Sequence, residues 1–289
     1  MKLLMVHNEY GKYSGEEAVV DRMAEAFRAR GVEVAMLRRS SAGARESLMG
    51  KIHGFFAGIY SPGGVGEMRR ILREVKPDVV NVHNVFPFIS PAALQECRKA
   101  GVPVVMTIHN YRLVCPTGLF MRDGGPCERC LERGSEWGCV KYNCEGSRLK
   151  SLGYALRGAT ARWRRDFIDC VDRFACITDF QRRKLSQAGF DPAKITVIPN
   201  AVDVPAEAPD FNPGGYVAYC GRLSREKGVD LIIEAARRLP KVEFRLAGAV
   251  RDEELIENLP ANVKLCGFLG GKDLESFYRE AGCFVMASR

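Results

Sequence analysis

The stretch YCGRLSREKGVDLIIEA, residues 219–235, decides the fold of this chain. It begins near the end of a short apolar run, Tyr216–Cys220, which is typical of a buried β-strand. It ends in the apolar spacing of an amphipathic helix, Val229–Arg238. The loop Gly221–Gly228 joins the two. A strand that feeds through a short loop into a helix is the unit from which parallel sheets are built.

The same alternation runs along most of the chain and predicts an α/β fold, with parallel sheets covered by helices on both faces. In the first part we expect strands at Lys2–His7, Val32–Leu37, Asp78–His83, Val102–Ile108, Phe174–Ile177 and Ile195–Ile198. We expect helices there at Glu16–Arg30, Gly66–Val75, Pro91–Ala100, Leu149–Ile168 and Phe180–Ala188. The 289 residues are enough for two domains.

The alternation pauses at Asn200–Gly215, a stretch with three prolines that predicts an interdomain linker. We therefore predict a first Rossmann-like domain at residues 1–198, a linker at 199–213 and a second Rossmann-like domain at 214–289. In the second domain we expect strands at Tyr216–Cys220, Val242–Ala247, Val263–Cys266 and Cys283–Ala287, and helices at Val229–Arg238, Asp252–Leu259 and Lys272–Ala281.

No helix is expected after the last of these strands. A parallel sheet needs cover on both faces. We therefore expect the second domain to be incomplete and the natural chain to continue past Arg289.

Composition excludes several classes of protein. Hydrophobic residues make up 46% and charged residues 27%, which is typical of a globular protein and not of a disordered or collagen-like one. The sequence contains no apolar run of membrane-spanning length, and its apolar start is too short for a signal peptide, so we expect a cytoplasmic protein. The net charge of +8 favours anionic partners, although a basic surface that serves solubility explains it equally well.

Two function classes lack a supporting motif. A dinucleotide-dependent oxidoreductase is disfavoured because no GxGxxG follows the first strand of either predicted domain. Nucleic-acid binding would rest on charge alone, so we expect no nucleic-acid partner.

The loop Gly221–Gly228 is the strongest candidate for a binding site. It follows the carboxyl end of a strand, where open parallel sheets bind ligands. Arg222 and Lys227 lie five residues apart in it, and both can reach one anion above the helix N-terminus. Two such cations suit a diphosphate.

Polar residues also follow two strands of the first domain. His109 and Asn110 lie at the end of one strand, and His83 and Asn84 lie at the end of its predecessor, so a shared cleft is favoured, although a lone His is more often structural. The loop after the first strand places Gly15 at a helix start, where free N–H groups bind phosphate. A simple strand-to-helix turn explains this loop equally well.

The motifs occur in the order of a known family. The Gly15 loop is followed by TIHN (107–110), ITVIPNAVD (195–203), YCGRLSREKGVDLIIEA (219–235) and VKLCGFLGGKDLESFYREAGCFVMAS (263–288). The chain thereby resembles the family 4 retaining glycosyltransferases of the GT-B fold over essentially its whole length.

This resemblance implies that the chain is a hexosyltransferase-type enzyme. Its donor would be a nucleotide-diphosphate sugar, UDP- or GDP-linked, held between the domains and mostly by the second. Transfer would retain the anomeric configuration, and the acceptor, on the side of the first domain, would be a glycan, a lipid-linked molecule or a small molecule. Enzymes of this fold generally need no catalytic metal.

The resemblance also assigns roles to residues. Arg222 and Lys227 match the residues that bind the donor diphosphate and stabilise the leaving group. His109 matches an active-site His near the donor sugar. Gly15 matches a glycine loop by the phosphates, where Glu16 replaces a second glycine.

In the same way, Gly248 and Phe268 match loops beside the nucleotide base. The family carries two glutamates, which bind sugar and ribose, after the segment that matches Met286–Ser288, and this chain ends before them. The alternative is therefore a truncated module that binds a nucleotide sugar without transferring it.

Four cysteines form a separate candidate site. Cys127, Cys130, Cys139 and Cys144 lie in a long loop after the fourth strand, and four thiols suit a structural tetrahedral Zn²⁺ that would order such a loop. An iron–sulfur cluster could use the same thiols, and reduced free cysteines are the third alternative.

Residues 147–165 contain six Lys or Arg and no Asp or Glu. An apolar stripe of Leu149, Leu152, Leu156, Ala159 and Trp163 predicts an amphipathic helix. Such a helix could touch anionic lipid at the inner membrane face. We favour the alternative, a domain helix with its stripe in the core and its charges in solvent, because glycines weaken a free-standing helix.

Overall fold

A computed structural model describes residues 1–11, 14–43, 47–202 and 215–288. The chain divides into two compact units. The first comprises residues 1–120 and 128–201, and the second comprises residues 121–127 and 202–289. The predicted first domain ran unbroken to residue 198, whereas the short segment 121–127 groups with the second unit. Most of the predicted linker, residues 203–213, lies outside the described residues.

A six-stranded parallel sheet forms the centre of the first unit. Its strands are β1 (Lys2–Glu9), β2 (Glu33–Ser40), β3 (Val79–Asn84), β4 (Val104–Ile108), β7 (Arg173–Cys176) and β8 (Ile195–Val197). They lie in the order β2-β1-β3-β4-β7-β8, and every pair is parallel. Leu4, Val6, Val80, Val82 and Val104 are fully buried in it because helices cover both faces.

The helices of the first unit complete the α/β layers. They are α1 (Gly15–Ala29), α2 (Leu48–Ile59), α3 (Pro62–Val75), α4 (Leu94–Lys99), α5 (Arg129–Glu132), α6 (Trp137–Lys141), α7 (Arg148–Trp163), α8 (Asp166–Cys170) and α9 (Asp179–Gln187).

The second unit is built around a four-stranded parallel sheet. Its strands β9 (Tyr216–Cys220), β10 (Phe244–Ala247), β11 (Val263–Gly267) and β12 (Ala281–Phe284) lie in the order β11-β10-β9-β12. Helices α10 (Val229–Arg238) and α11 (Gly271–Arg279) accompany it, and a two-residue hairpin forms from β5 (Met121–Arg122) and β6 (Gly125–Pro126). The predicted parallel α/β architecture of both units is confirmed.

Several helices differ from the prediction. Helices α2, α5 and α6 were not predicted. The helix expected at Asp252–Leu259 is only a 3₁₀ turn at Glu253–Leu255, because the preceding residues are tied to the backbone oxygen of Leu223. The helix expected at Leu149–Ile168 breaks into α7 and α8 at Arg165, whose φ of 57° is left-handed.

Helix α7 buries only part of the stripe that the sequence indicated. Leu149 and Trp163 are exposed at its two ends, whereas the buried positions include Ser151, Ala155 and Arg157. The favoured interpretation placed the apolar stripe in the core and the charges in solvent. It holds in part for Leu152, Leu156 and Ala159, which are half-buried, and it is wrong for the two ends of the stripe and for Arg157. The Arg157 guanidinium is buried because it stacks on Tyr154 and donates to a backbone oxygen.

Helices long and apolar enough to cross a bilayer do not occur within the described parts of the chain.

Two glycines of α3 make a matched test of packing. A Cβ at Gly64 would overlap the backbone oxygens of Phe88 and Ile89, whereas a Cβ at Gly66 would meet open space. Gly64→Ala should therefore lower the free energy of unfolding by about 1–3 kcal/mol, whereas Gly66→Ala should raise it by up to about 1 kcal/mol. Urea unfolding of both variants measures this, and equal effects would contradict the packing of α3 on the segment after β3.

Candidate active site

Three histidines meet at the carboxyl edge of the first sheet. His7 lies near the end of β1, His83 near the end of β3 and His109 just after β4, and these strands are neighbours in the sheet. Each is followed by asparagine. The sequence prediction identified two of these His-Asn pairs and missed His7-Asn8, although the same signal marks all three.

His83 and His109 are in direct contact. Nδ1 of His83 lies 2.8 Å from Nε2 of His109, and the rings stack with centroids 5.1 Å apart. Burial lowers the pKa of His109 to about 4, with a smaller contribution from His7, and burial also lowers the pKa of His83. Both rings are therefore neutral at neutral pH, so that one donates and the other accepts.

Glu16 faces this cluster from the first turn of α1. Its carboxylate accepts a hydrogen bond from the Tyr10 hydroxyl at 2.9 Å and lies 3.8 Å from Nδ1 of His7. Burial raises the pKa of Glu16 to about 7, because the hydrogen bond from Tyr10 and the charge of Arg112 compensate only part of the lost hydration. This edge therefore holds a carboxyl group that exchanges its proton near neutral pH.

Several buried polar atoms at this edge lack hydrogen-bond partners within the described structure. Buried polar groups are normally paired, so such a cluster is typical of a place that a polar ligand or water completes. A small cavity of about 20 Å³, room for about one water molecule, is lined in part by His83, His109 and Arg112. The unpartnered atoms are His7 Nδ1, His7 Nε2, Glu16 Oε1, His83 Nε2 and Arg112 Nε.

The asparagines have structural tasks. The Asn8 side chain accepts from the backbone N–H of Phe88 at 2.8 Å, and the Asn84 side chain donates to the backbone oxygen of Asn8 at 2.6 Å. They fix the loop after β3. Asn110 instead accepts from the backbone N–H of Arg112, which turns the chain after β4.

Gly15 opens α1, and a Cβ there would meet nothing within 4 Å. Ser14 and Glu17 form a capping box at this helix start, which uses N–H groups that a phosphate would need. The structure thus shows the strand-to-helix turn that was one alternative. A phosphate-contacting role for Gly15 stays a prediction.

In the second unit, Arg222 and Lys227 lie in the loop between β9 and α10, as predicted. An Arg222 Nη atom is 3.1 Å from the Glu226 carboxylate, which also lies 3.2 Å from Arg251. The sequence prediction missed Glu226 and Arg251. The i,i+4 spacing of Arg222 and Glu226 is the signal that could have revealed the first of them.

The loops at this edge are packed backbone to backbone. A Cβ at Gly228, whose φ is 69°, would overlap the backbone oxygen of Ala287, and a Cβ at Gly248 would overlap that of Gly221. Gly248 is therefore explained by packing between the loops after β9 and β10.

Two further features complete this edge. The Ser224 side chain is fully buried, and its hydroxyl has no partner among the described residues. Phe268 directly follows β11 and is 75% exposed, so its ring face is available for stacking.

The structure brings three of the four predicted cysteine ligands near one another, since the Cys139 side chain is in hydrogen-bonding contact with Cys144 and lies near Cys130. Cys130 lies beside Gly138, and the backbone of Cys144 donates to that of Cys139, so these three belong to one small helical segment. However, none of the described residues form a group of three or more His, Cys, Asp or Glu arranged to hold a metal ion. A structural Zn²⁺ needs four ligands, so a zinc or iron–sulfur site at Cys127, Cys130, Cys139 and Cys144 stays a prediction.

Two α/β units, each with a parallel sheet, have the architecture of the GT-B fold, and structural comparison agrees. The structure of Anabaena HepE in complex with UDP and glucose covers the whole chain with a TM-score of 0.60 at 16% identity, and the chain covers 74% of it. The structure of the lipopolysaccharide outer core galactosyltransferase WaaB gives a TM-score of 0.52 at 14% identity. The match covers 100% of this chain and 74% of the WaaB chain.

The sequence then gives the family. Residues 13–205 match the family described as Glycosyltransferase Family 4, and residues 214–289 match Glycosyl transferases group 1. The chain belongs to glycosyltransferase family 4. It is 26% identical over 215 residues to a phosphatidylinositol N-acetylglucosaminyltransferase subunit from Arabidopsis thaliana, and this match covers 69% of the chain. The chain spans 40% of that relative's length.

The raised pKa of Glu16 predicts a specific dependence of stability on pH. Between its ordinary pKa of 4.5 and its folded value of about 7, the folded protein keeps a proton that the unfolded chain releases. The free energy of unfolding therefore falls as pH rises through this window. The free energy of unfolding of Glu16→Gln, taken relative to that of the wild type, should therefore rise by about 1–3 kcal/mol from pH 5 to pH 8. Urea unfolding at both pH values measures this change.

Glu17→Gln is the matched control. Burial alone would raise the pKa of Glu17, but hydrogen bonds from Ser14 and Tyr10 outweigh it and leave the pKa below its ordinary value. Glu17 is therefore ionised in the folded and the unfolded state from pH 5 to pH 8. The difference in free energy of unfolding between Glu17→Gln and the wild type should stay constant over this range. If the difference for Glu16→Gln is also independent of pH, the pKa of Glu16 is not raised in the folded protein.

Proposed function

We propose that this protein is a retaining glycosyltransferase that moves a sugar from a nucleoside-diphosphate sugar to a hydroxyl group of an acceptor. The observation that carries the proposal is the loop between β9 and α10 in a member of this family. It places Arg222, Lys227 and the start of a helix at the carboxyl edge of a parallel sheet.

On the donor side, the bond between the anomeric carbon and the diphosphate oxygen breaks, and the diphosphate leaves with the electron pair. Arg222 and Lys227 stabilise the negative charge that develops there. Since Glu226 holds Arg222 in the free protein, the diphosphate has to compete with that carboxylate. The buried Ser224 hydroxyl can turn toward a ligand without losing a hydrogen bond.

UDP and GDP are the two candidate nucleotides, and Phe268 supplies an exposed ring against which either base could stack. We propose UDP as the first to test, because the similar Anabaena protein was crystallised with UDP and glucose.

On the side of the sugar and acceptor, His109 acts as a neutral hydrogen-bonding group, since its pKa of about 4 keeps it uncharged at neutral pH. The ring can orient a sugar hydroxyl without attracting a second anion. The acceptor oxygen forms the new bond to the anomeric carbon and loses its proton, which the departing diphosphate can accept.

We also propose that the protein acts in the cytoplasm and touches the inner membrane face through residues 147–165. Support comes from the exposed ends of α7. Leu149 and Trp163 face solvent there, in a helix with basic residues and no acidic ones.

Lys227→Ala should weaken UDP binding about 10- to 150-fold in isothermal titration, which corresponds to about 1.5–3 kcal/mol for a lost charged donor. Lys241→Ala is the control, because Lys241 precedes β10 and so lies at the opposite edge of the same sheet. If the wild type, Lys227→Ala and Lys241→Ala bind UDP with equal affinity, and likewise GDP, the loop between β9 and α10 is not the diphosphate-binding site.

A second measurement addresses transfer itself. Incubation with a nucleotide sugar and an acceptor should give a product with the donor's anomeric configuration, read by proton NMR. Binding of UDP without release or transfer of sugar would instead support a module that only binds the nucleotide.

A further inference from the structure

Helix α2 has an unusual distribution of side chains. Four of its large apolar residues lie on one face and point to solvent: Leu48, Met49, Ile52 and Phe56 are 74, 75, 45 and 62% exposed. A helix on the surface of a globular protein normally turns such a face toward the core. This exposed face therefore needs an explanation outside the fold of the first unit.

The opposite face of α2 consists of small residues. Gly50, Gly54, Ala57 and Gly58 follow one another at helical spacing, and Ala57 and Gly58 are buried. Small side chains let α2 approach its neighbours closely. The helix is therefore already packed against the first unit through its small residues, and its large apolar residues are exposed on the side that faces away from this contact.

The neighbour is α7, and the two helices run in the same direction. Phe55 lies against Gly153, Gly58 against Arg157, and Tyr60 against Arg164. Their N-terminal ends consequently lie at the same end of the pair. The exposed Leu149 of α7 belongs to that end, and the exposed Trp163 to the other.

The charges around this pair favour an anionic surface. The helix α2 contains one Lys and no acidic residue, and Lys51 and Arg148 have no ion pair in the described structure. Other cations of α7 and its C-terminal cap are compensated locally, since Lys150, Arg162 and Arg164 pair with Glu145, Glu136 and Asp166.

We propose that the exposed face of α2 inserts into the interfacial layer of an anionic lipid bilayer, with α7 beside it. This inference rests on the membrane contact proposed above. It assigns the main contact with the bilayer to α2 instead of α7. Apolar side chains would enter the acyl boundary, and Lys51 and Arg148 would meet lipid phosphates. The aromatic Tyr60 and Trp163 suit the headgroup level.

The charges argue against a second copy of the chain as the occupant. A symmetric contact of this face with itself would bring Lys51 and Arg148 near their counterparts with no acidic residue on α2 to compensate them. An anionic bilayer satisfies the apolar face and the cations together.

The test is co-sedimentation of the purified chain with vesicles of phosphatidylglycerol and phosphatidylcholine in equal parts. The wild type should bind these vesicles and should bind pure phosphatidylcholine at least about tenfold more weakly. Met49→Gln/Phe56→Gln should weaken binding about tenfold or more. Leu231→Gln/Leu239→Gln, which replaces two exposed apolar residues at α10, should bind like the wild type.

Arg148→Gln/Trp163→Gln separates the two proposals. If only this α7 variant loses binding, the inference on α2 is overturned and the contact through residues 147–165 stands. If the wild type does not bind vesicles, both are overturned. A wild-type dimer in sedimentation velocity that the α2 variant dissociates, without vesicle binding, would show that a second copy covers the face.

Hydrogen exchange of the wild type gives a readout that needs no variant. Amides of residues 48–59 should exchange more slowly with anionic vesicles present, while those of α10 stay unchanged. Unchanged exchange at residues 48–59 in vesicle-bound protein would overturn the inference.

Discussion

The parallel pairing of strands is the constraint on which the rest of this structure depends. Because neighbouring strands run the same way, residues far apart in the chain reach one edge of a sheet. In the first unit this brings together positions 7, 83 and 109. In the second it brings together the loops that follow β9, β10 and β11.

The two edges differ in charge. The first holds neutral imidazoles and a carboxyl group with its pKa near 7, whereas the second holds Arg222, Arg251 and Lys227. Burial causes the first property, since it penalises each ion that lacks a partner. The cations of the second edge lie nearer the surface, and Arg222 and Arg251 are about half exposed. Hydroxyl groups suit the first environment and phosphates the second, in line with the division of roles proposed above.

Much of the fold could be predicted because apolar strands and amphipathic helices leave a local signal. Strand β9 and helix α10 have the predicted bounds, and most other elements agree within a few residues. Helix α2 was missed because its apolar residues point outward. The burial of Arg157 and the break at Arg165 were missed because they depend on neighbours that no local pattern reveals.

The candidate sites show the same limit. The sequence could identify His83, His109, Arg222 and Lys227, because they lie at the ends of strands or in the loops that follow them. The same signal could have identified His7. The pKa of Glu16 could not, because it arises from burial against residues of other elements. The cysteine spacing predicted ligands, and Cys130, Cys139 and Cys144 do lie near one another. Spacing does not fix where thiols point, and the described residues do not form a group arranged to hold a metal ion.

The contact between Gly228 and Ala287 has an evolutionary consequence. These residues are 59 positions apart, yet their backbones touch at the start of α10. A substitution at either one shifts the same point, so their effects should be epistatic and not additive. Sequence drift in the segment after β12 is thereby constrained by the geometry of the Arg222 loop, and homologues that change one of the two positions should carry a compensating change near the other.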